Sequence, residues 1–390
     1  MIVRLLGPED RVPAGIISHI AFHIRKDDLE AKKKEWEEHP EDEDWGAFDD
    51  DGTLMARVIN NHFLTHLDSH LVMNGGIGAV STLPEYRESG AVRAIFAELL
   101  PQAYKRGEAI STLYPFMHAF YRKFGYETVC CKNEYELTPR QLAGYAHDGW
   151  ARQWKPGDSV TEFRRIYMSF AEQRNLAFNR DDTKMKEEHI HGEFWKDRHF
   201  VYLLGDDEGA KAYVVFQDEF RPESAKLTVR EAAWTGPEGF RAVLGFLARF
   251  SADYGALRMV LPTDLDLRMY VRDPYEVRTE PDFGYMVRVV NADKLLSLIR
   301  KPENASFVIS VSGDEQIPEN NCVWRVCGTK VMKTEDAPDL SVSVRALGVM
   351  AVGGMSLAEA EYREDVKISG NRETLEKIFV RKPIYVGDHF

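Results

Sequence analysis

A run of hairpin, strand, amphipathic helix and short buried strand occurs twice in this chain, about 150 residues apart, and no other feature limits the fold as much. In the first copy the pattern predicts strands over residues 54–59 and 63–72, paired antiparallel after the turn Asp49-Asp50-Asp51-Gly52, and a further strand over 76–83. Val92, Ile95, Phe96, Leu99 and Leu100 then recur at i, i+3, i+4, i+7 and i+8, on one face of a helix. Lys105-Arg106-Gly107 closes that helix with cations and a C-terminal glycine. A strand over 109–113, a short helix over 118–123 and a last strand over 126–137 complete the unit. Residues 14–22 and 26–37 also have helical spacing.

The second copy has strands over 201–204 and 212–216 around Gly205-Asp206-Asp207-Glu208-Gly209, then a strand over 227–234. Phe240, Val243, Leu244 and Leu247 mark its helix, which Tyr254-Gly255 stops. Met259-Val260-Leu261-Pro262 then echoes Thr112-Leu113-Tyr114-Pro115. The last hundred residues differ. Phe307, Ile309 and Val311, and later Leu340, Val342 and Val344, alternate with partners such as Ser310 and Ser341, as half-buried strands do. Helices are expected around 356–362 and 372–379. The reading is three domains: 1–150 and 151–290, both α/β, and 291–390, α+β.

A length of 390 residues exceeds what one core supports. No apolar run approaches the roughly 20 residues that span a bilayer, and residues 1–7 read as a first strand rather than a signal peptide. The net charge of −13 argues against a nucleic-acid partner and favours cationic ones, although such charge also serves solubility. Cys130 and Cys131 adjoin within a strand-like stretch, and Cys322 and Cys327 have no zinc-completing neighbours. All four read as buried free thiols in a reducing cytoplasm. His189-Ile190-His191 lacks a third ligand and reads as surface histidine, so no metal is expected. The run from Glu35 to Asp51 carries ten carboxylates. It reads as a solvated face, or as a rim for cations with Trp36 and Trp45 as apolar walls.

Chemistry is most legible between Val80 and Arg93. A strand runs into Arg87-Glu88-Ser89-Gly90, and that turn opens the amphipathic helix. The first amides of a helix lack intrahelical partners and lie at the positive end of its dipole, so the turn suits phosphate oxygens. This stretch resembles the cofactor motif of the GNAT superfamily, and the whole chain is similar to the Eis-type (enhanced intracellular survival) acetyltransferases. The resemblance implies tandem GNAT folds, each a mixed, mostly antiparallel sheet flanked by helices, with acetyl-CoA as co-substrate and no metal. Val80, Ser81 and Thr82 would contact pantetheine, and Arg87, Glu88, Ser89, Gly90, Ala91, Val92 and Arg93 the pyrophosphate. Phe116 and Met117 would meet the acyl end. Glu88 is a departure, because relatives are often basic there.

The resemblance extends to Phe120-Tyr121-Arg122-Lys123-Phe124-Gly125-Tyr126, where Tyr121 would assist the leaving thiolate. A phenol with pKa about 10 can hydrogen-bond or protonate a thiolate whose thiol has pKa about 8.5. In Eis-type enzymes the terminal carboxylate is the general base, and Phe390 would supply it here. Phe390 as a packing residue, or His389 as the base, are the alternatives. Trp36 and His389 are the candidate substrate contacts. The second copy, with Pro237 at its strand-to-helix junction and no Arg-x-x-Gly, reads as a GNAT-like fold without cofactor. Asn320-Asn321-Cys322-Val323-Trp324, Pro338-Asp339-Leu340 and Ala346-Leu347-Gly348 resemble a sterol carrier protein type 2 domain. The expected function is N-acetylation of a cationic amine (an aminoglycoside, polyamine or lysine side chain) by a homo-oligomer, a hexamer by family resemblance. The rival is a lipid or small-molecule binding protein on an inactive scaffold.

Overall fold

The computed structural model describes residues 1–23, 43–192, 198–219 and 225–390. Trp36, the expected helix over 26–37 and half of the ten carboxylates of the acidic run lie outside these residues.

The first unit carries strands β1 (Ile2–Leu5), β2 (Asp44–Phe48), β3 (Leu54–Leu67), β4 (His70–Thr82), β5 (Ile110–Leu113) and β6 (Glu127–Val129). Helix Ala91–Arg106 buries Ile95, Phe96, Leu99 and Leu100 against this sheet, as the spacing requires. Each buried side chain contributes roughly 1.5–3 kcal/mol. Gly107, at φ 79°, caps it in the left-handed region. The hairpin differs from expectation. Residues 54–67 form one strand, and the turn falls at Asp68 and Ser69, with φ of 48° and 70°. The polar run Asn60-Asn61-His62 resembles a turn in the sequence but stays paired with Gly75–Ile77 in the ladder.

After β6 the chain leaves the first sheet. Residues 132–137, expected to continue the previous strand, form β7 (Lys132–Leu137) in the second sheet. Cys130 and Cys131 occupy this crossing rather than a strand, and of the four free thiols Cys131 alone is fully buried. The second unit continues with β8 (Trp150–Gln153), β9 (His199–Asp206), β10 (Gly209–Glu219), β11 (Lys226–Trp234), β12 (Ala256–Leu261) and β13 (Arg278–Asp282). Then β14 (Tyr285–Val289) returns to the first sheet. The two sheet orders, β1-β2-β3-β4-β5-β14-β6 and β8-β9-β10-β11-β12-β7-β13, correspond strand for strand. In each, the sixth strand comes from the other unit. The two repeats are therefore laced by a reciprocal strand exchange, and the crossings meet where the Cys131 amide donates to the Asp282 carbonyl at 3.1 Å.

The last unit holds β15 (Ser306–Ser312), β16 (Val323–Cys327), β17 (Lys330–Lys333), β18 (Leu340–Ser343) and β19 (Val366–Ile368) in the order β17-β16-β15-β18-β19. Val344, expected in a strand, instead opens helix Val344–Val352, capped by Ser343. Nearly every residue of that helix is buried, so it shows no polar face to reveal its period. It packs on β14 and shares a core with the adjoining face of the first sheet. Among the described residues no helix is long and apolar enough to cross a membrane.

Candidate active site

The site starts with a parting of strands. β4 and β5 pair in parallel only from Asn74–Ile77 to Ile110–Leu113, while β4 runs on to Thr82. Beyond Ile77 the β5-facing edge of β4 opens a wedge. A bulge lies at this point: Arg57 faces Ser81, but Ile59 faces Gly78, and the extra residue includes Ala79 at φ 48°. The bulge re-aims the backbone of residues 78–80 where an extended ligand arm would lie. Val80 and Thr82 are half-buried and Ser81 is buried on this edge.

β4 leads into the turn and helix Ala91–Arg106. Gly90 is the N-cap at φ 84°, a conformation costly for other residues, with open space around it. Ser89 Oγ accepts from the Ala91 amide at 3.3 Å, and the first intrahelical bond is from Ala94 to Gly90. The amides of Val92 and Arg93 thus have no intrahelical partner, which fits a phosphate group. Arg87 and Arg93 are exposed beside them. Glu88 is also exposed, at φ 67°, and departs into solvent.

Across the wedge, helix His118–Arg122 holds Tyr121, which is only 2% exposed. Its ring packs among Phe116, Phe120 and Tyr126. Burial pushes the phenol above its usual pKa, so it stays protonated and keeps a proton to donate. Phe116 and Met117 are exposed apolar residues just before it.

The chain end enters from the opposite side. The tail threads between the units: the Asn175 amide donates to Pro383, the Thr263 amide to Ile384, and the Val386 amide to Cys131. The Phe390 ring then packs on Phe63, with centroids 5.0 Å apart, and near Tyr114 and Phe178. Gly76 and Gly78 make room for it. A Cβ on Gly76 would lie 2.5 Å from the Phe63 ring and 2.9 Å from the Phe390 ring. A Cβ on Gly78 would lie 3.7 Å from the terminal carboxyl carbon. The Phe390 carboxylate therefore stands against β4 beside the bulge. His389 is exposed, stacked on Tyr114 at 4.8 Å, and opens onto a cavity of about 760 Å³ along the second sheet.

The cavity marks the matching wedge of the second unit, where β11 and β12 pair only over Lys226–Thr228 and Ala256–Arg258. Tyr385, Gly387 and His389 project over that wedge, beside Val229 and Glu231. Beneath them Asp388 is held by the fully buried Arg180, whose guanidinium also grips Glu231 at 2.8–2.9 Å. His189 bridges the same carboxylates, at 3.2 Å to Glu231 and 3.3 Å to Asp388. The sequence reading of His189 as a surface residue is thus corrected: its side chain is 10% exposed within a buried charge network, whereas His191 is exposed. Burial raises the cost of charge for Asp388, yet Arg180 and His189 outweigh it and hold the carboxyl well below its usual range.

Trp45 is also corrected. It lies in the first core, 8% exposed, with its indole donating to Glu43. Glu43 and Asp44 turn inward from the acidic run to meet Arg106 and Arg57. Sequence reasoning missed Gly76, Gly78, Ala79, Tyr114, Arg180 and Glu231. Only the glycines left a signal, since Gly75-Gly76-Ile77-Gly78 within a strand marks a bulge or a close backbone approach.

Family models agree with this architecture. An acetyltransferase (GNAT) domain model matches residues 3–129, another matches 176–289, and a sterol carrier protein domain model matches 292–387. No curated protein sequence matches. Among solved structures, a GCN5-related N-acetyltransferase from Anabaena variabilis superposes with TM-score 0.84 at 17% identity over 100% of both chains. A probable N-acyltransferase from Enterococcus faecalis gives 0.83 at 19% over 98% of both. Eis1 from Mycobacterium abscessus gives 0.81 at 20% over 100% of both. At these identities the likeness is one of fold. With two acetyltransferase domains and a sterol carrier protein domain along its length, the chain is an acyltransferase of the GNAT superfamily.

Proposed function

We propose that this protein is an acetyl-CoA-dependent N-acetyltransferase acting on a primary amine of a cationic substrate, an aminoglycoside, polyamine or lysine side chain. The observation that carries the reading is the Phe390 carboxylate beside the β4 bulge, at the mouth of the wedge. A carboxylate placed there can accept a proton from an amine that enters the wedge.

Acetyl-CoA supplies the activated acetyl group, and transfer goes directly to the amine in a ternary complex. The amides of Val92 and Arg93 and the cap at Gly90 hold its pyrophosphate, with Arg87 alongside, and the β4 edge from Val80 to Thr82 holds its arm. Phe116 and Met117 border the acyl end. The Phe390 carboxylate accepts the proton that the amine nitrogen loses. The Tyr121 hydroxyl, kept protonated by burial, donates to the departing sulfur. The amine enters through the cavity at His389, whose lining carries Glu134, Glu188 and Asp282 together with Lys132, Arg230 and Arg258.

The four free thiols suit a cytoplasmic setting. A homo-oligomer belongs to the same reading: Leu64, Leu71 and Met73 are exposed together on the β3–β4 hairpin, with Leu64 directly opposite Met73. Light scattering on the purified protein tests it. The catalytic reading is tested by melting temperature and by amine acetylation. Acetyl-CoA should raise the melting temperature, because it binds only the folded chain, and Gly90→Asp should remove the shift. No shift at millimolar acetyl-CoA defeats the reading.

A further inference from the structure

We infer that the sterol carrier protein domain completes the coenzyme site, holding the 3′-phosphate of the CoA ribose in a basic pocket that it shares with the first unit. This rests on the acetyl-CoA reading above. A cavity of about 390 Å³ lies where the two meet, lined by Arg93, Arg122, Lys123 and Arg345, with Glu315 the one carboxylate. In a chain with 63 acidic and 50 basic residues, four cations against one acid is a local reversal. Arg122 is committed to Glu127 at 2.8 Å. Among the described residues no carboxylate forms an ion pair with Arg93, Lys123 or Arg345. Three unpaired cations around one hollow repel each other, and an anion relieves that repulsion.

The pocket walls are fixed. Phe96 stacks on Phe124 at 4.3 Å, so the first turns of helix Ala91–Arg106 lie against the end of helix His118–Arg122. Arg288, fully buried on β14, donates to the Phe124 carbonyl at 2.6 Å and to Asp314 at 2.6 Å. Asp314 in turn accepts from the amides of Gln316 and Ile317. This bolts the 313–317 loop beside Phe124 and Gly125, and Ile317 enters the first core. Arg345, on helix Val344–Val352, supplies the cation from the far wall.

The location selects the ligand. Arg93 belongs to the same first turn whose amides face the pyrophosphate. The ribose 3′-phosphate is one sugar away from the pyrophosphate, so it must settle close to that turn. A dianionic phosphate accepts charge-assisted hydrogen bonds from several guanidinium and ammonium groups at once.

Calorimetric titration of the full chain with CoA and with 3′-dephospho-CoA tests the assignment. CoA should bind about tenfold more tightly or better, the equivalent of one charge-assisted hydrogen bond. Arg345→Gln should weaken CoA by about tenfold and leave dephospho-CoA affinity unaltered, so the preference collapses. Lys123→Gln, at an exposed position, should do the same and stands in if Arg345→Gln fails to fold. Equal affinity of the wild type for both ligands overturns the inference, as does a variant that weakens both equally. A wild type that binds neither overturns the acetyl-CoA reading itself, and this inference with it.

Discussion

Both carboxylate oxygens of Asp388 accept from the single guanidinium of Arg180, at 3.0 Å each, and neither side chain has exposed surface. The pair stands two residues from the chain end, so whatever fixes Asp388 also fixes where Phe390 stops. Removing Asp388 leaves Arg180 its Glu231 partner but breaks the balance of two cations and two carboxylates, so the loss should stay below the roughly 3–5 kcal/mol of a fully orphaned buried charge. Asp388→Asn should therefore lower both melting temperature and kcat while leaving acetyl-CoA affinity nearly intact, because the phosphate turn is remote from it. Unchanged kcat in a folded Asp388→Asn protein would show that the network stabilises without positioning.

The same network predicts a pH dependence of stability. Burial opposes the charge on His189, but Glu231 and Asp388 outweigh it and raise its pKa from 6.5 to about 9. A raised folded pKa means that the stabilisation is complete below about 6.5 and is lost as pH rises through 9. The full difference is roughly 3 kcal/mol. Asp388, held low, contributes above 3.8 and loses its part as pH falls below that. The melting temperature should fall between about pH 6.5 and 9 in the wild type and less steeply in His189→Gln. Equal alkaline slopes would contradict the assignment.

The terminal carboxylate can serve as base only while nothing follows it. Residues added after Phe390 convert it to an amide and push bulk toward Gly78. Deleting Phe390 retracts the charge by about 3.5 Å, and catalytic groups tolerate errors near 1 Å poorly. Both changes should lower turnover by roughly 10²-fold or more with acetyl-CoA affinity retained. Stability falling in proportion to activity would point to packing alone, and His389→Ala worse than the deletion would make His389 the base.

Tyr121→Phe keeps the ring among Phe116, Phe120 and Tyr126 and removes only the hydroxyl. It should lower kcat by roughly 10²-fold with little change in the acetyl-CoA KM. A kcat equal to wild type returns Tyr121 to the core.

Gly76→Val places methyl groups where Phe63 and Phe390 meet. The tail should be displaced, so turnover falls while the acetyl-CoA melting shift persists. Wild-type turnover would mean that Phe390 is seated elsewhere in solution.

Much of the site is legible along the chain because its parts are local. A phosphate turn is one strand, four residues and one helix start, and Arg87 to Arg93 carry it in order. The Tyr121 motif is equally compact, and its fixed distance from the turn reflects a single α/β unit. His189 shows the limit. In sequence it is a histidine between Glu188 and Ile190. Its role comes from Glu231 and Asp388, which lie 42 and 199 residues away.

By itself the sequence determined the period-two and period-3.6 patterns, and with them two α/β repeats and a third unit of another kind. Those patterns arise from burial of one face, which each segment encodes in its own residues. Only the tertiary structure decided that β7 and β14 exchange sheets, since the residue pattern of a strand shows which faces are buried and not which sheet it joins. It also decided that a tail of seven residues ends in the wedge of the first unit. That outcome rests on Arg180 and His189 neutralising Glu231 and Asp388 in a buried space, an interaction that exists only once the chain has brought them together.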